Sequence, residues 1–273
     1  MRENHSRLAF TLMELIFVIV ILGIVASMGS EVIAKAYENY IVQRSEHRAS
    51  IKTQLASNQI ANRLRYAMPG TLIRRNGLTG VAEALDAPLV GNSYSVLQWI
   101  GVDGDSFETI ASDANRFPGW SGFCDVSASD AQVISTPGSN LALTDTIIKN
   151  LSHNTKNISS AAIFFPNDGN IAHGISSASG TNITLDVNAT RIVERYKLAW
   201  SSYALSVENG DLFLYYNFKP SYGTPINGEK KLLMKNITTF KFQGTGRTIR
   251  FKICKDEELG DINISSCKEK AVF

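Results

Sequence analysis

The side chain most out of place in this sequence is Glu14. It follows Phe10-Thr11-Leu12-Met13 and precedes the apolar run LIFVIVILGIVA at residues 15–26. A carboxylate inside an apolar segment costs about 2.5–3.5 kcal/mol on membrane-insertion scales, so it needs a reason to be there. One local reason is a capping box, Thr11-x-x-Glu14, which would satisfy free N–H groups at a helix start. Other reactive groups are sparse. Asp103-Gly104-Asp105-Ser106-Phe107-Glu108 groups hard oxygen donors. Asp103 and Asp105 could approach calcium, but the ligand order and central Gly of an EF-hand are missing, and a solvated turn is the competing reading. His5, His47, His153 and His173 are scattered. Cys124, Cys254 and Cys267 show neither CxxC nor Cys/His spacing, so zinc is not expected. No nucleophile elbow, P-loop or HExxH pattern occurs, and neither enzymatic activity nor a cofactor is expected. Residues 44–75 carry Arg44, Arg48, Lys52, Arg63, Arg65, Arg74 and Arg75 against Glu46 alone. Arg44, Arg48 and Lys52 recur every fourth residue, on one helical face. Together with Arg63 and Arg65 they could meet DNA phosphates, another subunit or solvent.

The elements that must position these groups begin with the N-terminus. The chain has 273 residues, 44% hydrophobic and 19% charged, with 27 basic and 25 acidic side chains. The near balance excludes a whole-chain case for nucleic acid, and the average composition excludes a polytopic membrane protein or a disordered tail. The uncharged run at residues 15–30 reaches spanning length only by extending back through residues 10–13 and enclosing Glu14. A leader containing Arg2 and Arg7 precedes it, on the side expected to remain cytoplasmic. A cleaved secretory signal, with a cut near Val25-Ala26-Ser27, fits Glu14 badly. A plain anchor gives Glu14 no purpose.

Residues 8–24, LAFTLMELIFVIVILGI, resemble the N-terminal signature of type IV prepilins and type II secretion pseudopilins. The resemblance implies cleavage by a prepilin peptidase between Ala9 and Phe10, then N-methylation of Phe10. Glu14 becomes the fifth mature residue, where the family places its Glu. Ala9 departs from the usual Gly before the cut but keeps a small residue there. The new α-amine is cationic near neutrality, with an ordinary pKa of about 7.7–8. In low dielectric it and Glu14 attract, and in the family model the amine belongs to a neighbouring subunit, which sets axial register.

Apolar residues continue at helical spacing through Ile33, Tyr37, Tyr40, Ile41, Ile51 and Leu55, slip in phase, and resume at Ile60 and Leu64. Pro69-Gly70 is a stop. A helix over residues 10–66 would be about 85 Å long at 1.5 Å per residue, too long for a head of this size to bury. Residues 70–157 are rich in Gly, Ser, Asp and Asn and read as loops with short elements. Strands are expected at residues 161–165 and 183–187. Tyr203, Leu205 and Val207, then Asn209-Gly210, then Leu212, Leu214 and Tyr216 predict a hairpin. Phe240 and Phe242, a Gly-Thr-Gly turn, then Ile249, Phe251 and Ile253 predict another.

The expected fold is therefore α+β and pilin-like, a long N-terminal helix packed on a C-terminal antiparallel sheet. The expected divisions are a leader at 1–9, a transmembrane and polymerisation helix at 10–30, and its periplasmic continuation at 31–68. A variable connector at 69–159 and a β-sheet region at 160–273 follow. The resemblance extends weakly to the larger J-type minor pseudopilins. It implies an inner-membrane, single-pass precursor with a periplasmic head. Its partners would be other pilins, a platform membrane protein contacted directly, an assembly ATPase acting indirectly, and secreted cargo or DNA. It also suggests a disulfide between Cys254 and Cys267 closing residues 255–266 as a loop. Two free thiols are the alternative. Cys124 is expected as a buried thiol among Phe117, Trp120 and Phe123. The rival reading is a membrane-anchored binding protein or enzyme unrelated to filaments.

Overall fold

The computed structural model describes residues 11–87, 94–246, 248–260 and 262–273. Helix α1 (Leu12–Arg65) runs without a break through Gly23 and Gly29 and is about 81 Å long. Strands β1 (Ile73–Arg75), β2 (Glu83–Ala84) and β3 (Val96–Gly101) follow it. Then come α2 (Gly104–Glu108), β4 (Val133–Ser135), α3 (Leu141–Leu151), β5 (Ala162–Phe164), β6 (His173–Ser179), β7 (Asn182–Leu185) and β8 (Lys197–Ala199). The chain closes with β9 (Ser201–Glu208), β10 (Asp211–Phe218), β11 (Glu229–Met234), β12 (Ile237–Thr245), β13 (Thr248–Leu259) and β14 (Ile262–Val272).

Among the described residues the strands build antiparallel sheets. A six-stranded sheet has the order β11-β10-β9-β3-β1-β2, a five-stranded sheet β4-β7-β6-β5-β8, and a three-stranded sheet β12-β13-β14. The β9–β10 hairpin turns at Asn209-Gly210, where φ is 51° and 79°. Both residues need positive φ in such a two-residue turn, which Asn and Gly supply at little cost. One core joins Ile60 and Leu64 of α1 to Trp99, Leu205, Leu214 and Phe251.

Residues 70–157 are more structured than their composition suggested. Strand β3 lies inside the six-stranded sheet, paired with β9 from Val96↔Ser206 to Gly101↔Ser201. Residues 102–200 therefore leave and re-enter the sheet at one point. They carry their own core of Trp120, Ile134, Ile148, Ile163, Ile183 and Leu198. Helix α3 was missed because Thr144, Asp145 and Thr146 interrupt its apolar pattern. Asn140 caps it, its side chain accepting from the Leu143 N–H. Strand β4 pairs with β7, so elements of the connector expected at 69–159 interleave with strands of the region expected at 160–273. The excursion departs beside the end of α1: the Val102 N–H donates to Tyr66 O at 2.8 Å. That end is the one farthest from the apolar run.

Cys254 and Cys267 are joined by a disulfide across a sequence separation of 13. What they enclose is not a loop. Strands β13 and β14 stay in register from Ile249↔Val272 through Cys254↔Cys267 to Leu259↔Ile262. The apolar alternation ends at Ile253, where Lys255, Glu257 and Glu258 hid the continuing strand. Replacing both cysteines with Ser should lower the unfolding free energy by about 2–4 kcal/mol, read as a lower urea midpoint.

Candidate functional site

The projecting helix is the most unusual surface in the molecule. Residues 12–44 include no buried side chain; burial against the head begins at Ser45. The first part is long and apolar enough to cross a membrane, and none of that window is buried. Thr11 caps the helix, its hydroxyl accepting from the Glu14 N–H at 3.4 Å. That is one half of a capping box. The Glu14 side chain stands where the sequence places it, one turn into an uncovered apolar helix. Ala9 and Phe10 lie outside the described residues.

The head contacts a different face from the one that the apolar periodicity marks. Buried on α1 are Ser45, Ala49, Thr53, Ala56, Ser57, Ile60, Ala61 and Leu64. At 100° per residue this stripe lies opposite Ile33, Tyr37, Tyr40, Ile51 and Leu55, all exposed. The phase slip between Leu55 and Ile60 marks where large apolar side chains pass from the outward face to the inward one. Small inward residues let β13 and β14 approach the helix closely. The Thr53 hydroxyl is satisfied by donating to Ala49 O at 2.8 Å. Lys270 of β14 donates to the Asn58 side chain and ties the sheet to the helix.

The basic stretch separates into two groups. Arg44, Arg48, Lys52, Arg63 and Arg65 are exposed along α1. The Arg63 guanidinium also lies 5.5 Å from the Tyr203 ring centre. Arg74 and Arg75 are buried in β1. Arg74 pairs with Glu83 at 3.3 Å and stacks over Tyr94. Arg75 donates to Gln98 Oε1 at 2.8 Å, Gly80 O at 2.8 Å, Gly223 O at 2.7 Å and Thr224 O at 3.0 Å. It holds a distant loop against the sheet and is not available to a polyanion.

The carboxylate cluster also changes character. Asp103 is buried and caps α2, accepting from the Ser106 N–H at 3.1 Å. Trp120 Nε1 donates to the Asp103 carbonyl at 3.0 Å. Asp105 is exposed. No group of three or more His, Cys, Asp or Glu fit to hold a metal occurs among the described residues. Cys124 is fully buried, and burial pushes its thiol pKa up. Trp120 shares its core, but Phe117 and Phe123 are exposed rather than packed around it. Sequence reasoning missed one buried pair, His173 Nε2 to Asp168 Oδ2 at 2.7 Å. These residues are brought together by the turn before β6, and their spacing matches no motif.

Residues 4–30 match the family model described as the prokaryotic N-terminal methylation motif. With the long apolar helix and the antiparallel sheets behind it, the match supports the type IV pilin and pseudopilin family. The motif implies processing by a prepilin peptidase and assembly with other pilins, and proteins that carry it in this family are structural. No curated protein and no solved structure matches the chain.

Burial raises the Asp103 pKa to about 6 from 3.8. The folded state thus binds its proton more tightly than the unfolded state. The resulting penalty is absent below about pH 4, grows between pH 4 and 6, and is complete above, with a ceiling of about 3 kcal/mol. Asp103→Asn keeps the cap and removes the charge. It should raise stability by about 1–3 kcal/mol at pH 7.5 and change it little at pH 4, measured by urea unfolding at both values.

Proposed function

We propose that this protein is a minor pilin or pseudopilin, a low-copy subunit of an envelope-spanning filament that serves type II secretion or DNA uptake. The observation that carries this reading is α1, whose apolar first part, residues 12–30, holds one carboxylate and buries no side chain among the described residues. A helix of that kind needs lipid first and other subunits later. In this scheme the precursor sits in the inner membrane by one span with its head in the periplasm. Prepilin peptidase cuts between Ala9 and Phe10 and methylates the new amine. Glu14 then pairs with the α-amine of the next subunit as helices leave lipid for the filament core. Outside lipid, the outward stripe from Ile33 to Leu55 buries against neighbouring helices and supplies apolar burial. A platform protein would receive the helix directly, and the assembly ATPase would act through that platform.

The head supports a terminal or sparse position better than a dense shaft. The excursion at residues 102–200 adds a second core to the end of the head beyond α1. In this reading it meets secreted cargo, DNA or other minor subunits there.

Mass spectrometry of the mature protein should find N-methyl-Phe10 at its N-terminus. A chain that retains Met1, or is cut near Ser27, would refute the reading. Glu14→Ala should leave processing largely intact and reduce incorporation into sheared filaments at least ten-fold. Incorporation equal to wild type would remove the register role of Glu14.

A further inference from the structure

The outer face of the three-stranded sheet exposes Lys241, Arg250, Lys252, Glu258 and Glu269, and its charges are sorted. Along β13 the inward side chains Ile249, Phe251 and Ile253 fill the core against α1. Alternation along a strand sends Arg250, Lys252, Cys254, Asp256 and Glu258 to the opposite face. That row reads two cations, half of the disulfide, then two anions. On β12, Lys241 stands directly opposite Lys252. Same-face cross-strand neighbours lie about 5 Å apart, so this like-charge pair costs stability unless an external anion relieves it. Lys241, Arg250 and Lys252 are exposed, and none forms an ion pair among the described residues. Glu269, opposite Lys252 on β14, offsets part of the charge. At the other end Glu258 is exposed and Asp256 half-exposed, the latter accepting long bonds from Thr238 and Asn263, each at 3.4 Å.

The two ends differ in height along the helix. The basic end adjoins the last turns of α1: Leu64, Thr248, Ile249 and Val272 border one cleft. The acidic end therefore points back toward the membrane span. Arg250 and Glu258 are roughly 27 Å apart at 3.4 Å per residue, too far to meet within one chain.

We infer that a second copy of this chain docks head to tail here, its acidic β13–β14 end seated on the basic Lys241, Arg250 and Lys252 patch of the copy below. All copies in one membrane point the same way, so the lower side of one head meets the upper side of another. A contact between two different patches does not close on itself, so each docked pair leaves one patch of either kind free, and the low copy number limits the run to adjacent copies. The inference rests on the filament reading proposed above and adds which head surfaces meet.

Carbodiimide treatment of membranes containing the full-length chain tests it. This reagent condenses a lysine amine with a touching carboxylate, losing water, and so reports Lys241 or Lys252 against Asp256 or Glu258 of another copy. Wild type should give a cross-linked dimer containing those peptides, weakened in 1 M salt during association. One variant combines Lys241→Glu, Arg250→Glu and Lys252→Glu; the other combines Asp256→Lys and Glu258→Lys. Each alone should lose the dimer at least ten-fold, and co-expression of the two should recover it. Non-reducing mobility verifies that each variant retains its disulfide-closed fold. Dimer yields equal to wild type in either variant, no recovery in the mixture, or adducts only with a different subunit would overturn the docking. Wild type with N-methyl-Phe10 but no dimer counts against the docking alone, whereas absence of that processing counts against the filament reading.

Discussion

A helix of about 81 Å emerging from a head that covers only its last third governs this structure. Helices in water are stabilised mainly by burying one face, and residues 12–44 of α1 bury no side chain among the described residues. Its large apolar side chains point every way from Leu12 to Met28 and then narrow to an outward stripe through Leu55. The molecule is therefore incomplete as a soluble object. In the reading proposed above, lipid would supply the missing apolar surroundings for the first part, and other helices could supply them for both. In the same reading, a cationic partner for Glu14 would turn a desolvation cost into a directional attraction.

The head is arranged to leave that helix usable. It holds α1 through small side chains, so β13 and β14 sit close without consuming the large apolar residues needed elsewhere. The contact is strengthened by Ile60 and Leu64 and by the bond from Lys270 to Asn58. The excursion at residues 102–200 keeps to the far end and has its own core. Growth there leaves the helix and the outer sheet face unobstructed. The same logic explains why β13 carries charge outward on both sides of Cys254: a polar, charge-sorted face avoids unselective stacking yet can recognise a partner in one orientation.

The hairpins at β9–β10 and β12–β13 were readable because one face is buried, which imposes strict alternation, and because Asn209-Gly210 is a turn with one favoured geometry. The extent of β13 and β14 was not. Beyond Ile253 the inward positions are Lys255 and Glu257, a buried ion pair at 3.7 Å, and they break the apolar code while preserving the ladder. Helix α3 and the short strands of the excursion were hidden in the same way. Thr144 fills a buried position of α3, and Thr136 and Ser139 are buried in the turn that leads into it, so their polarity reads as loop.

By itself, the sequence determined the N-terminal signature, the position of Glu14, the length of the helix and its inability to be buried at home. These depend on residues close in sequence, on hydropathy and on 1.5 Å of rise per residue. Tertiary structure alone decided which face of α1 belongs to the head, since both faces show helical spacing and only packing separates them. It also decided that Arg74 and Arg75 are internal struts while Arg44, Arg48 and Lys52 stay free on the surface. A side chain's type fixes its charge, but the strand register and the partners brought from 5 to 149 residues away fix whether that charge reaches solvent.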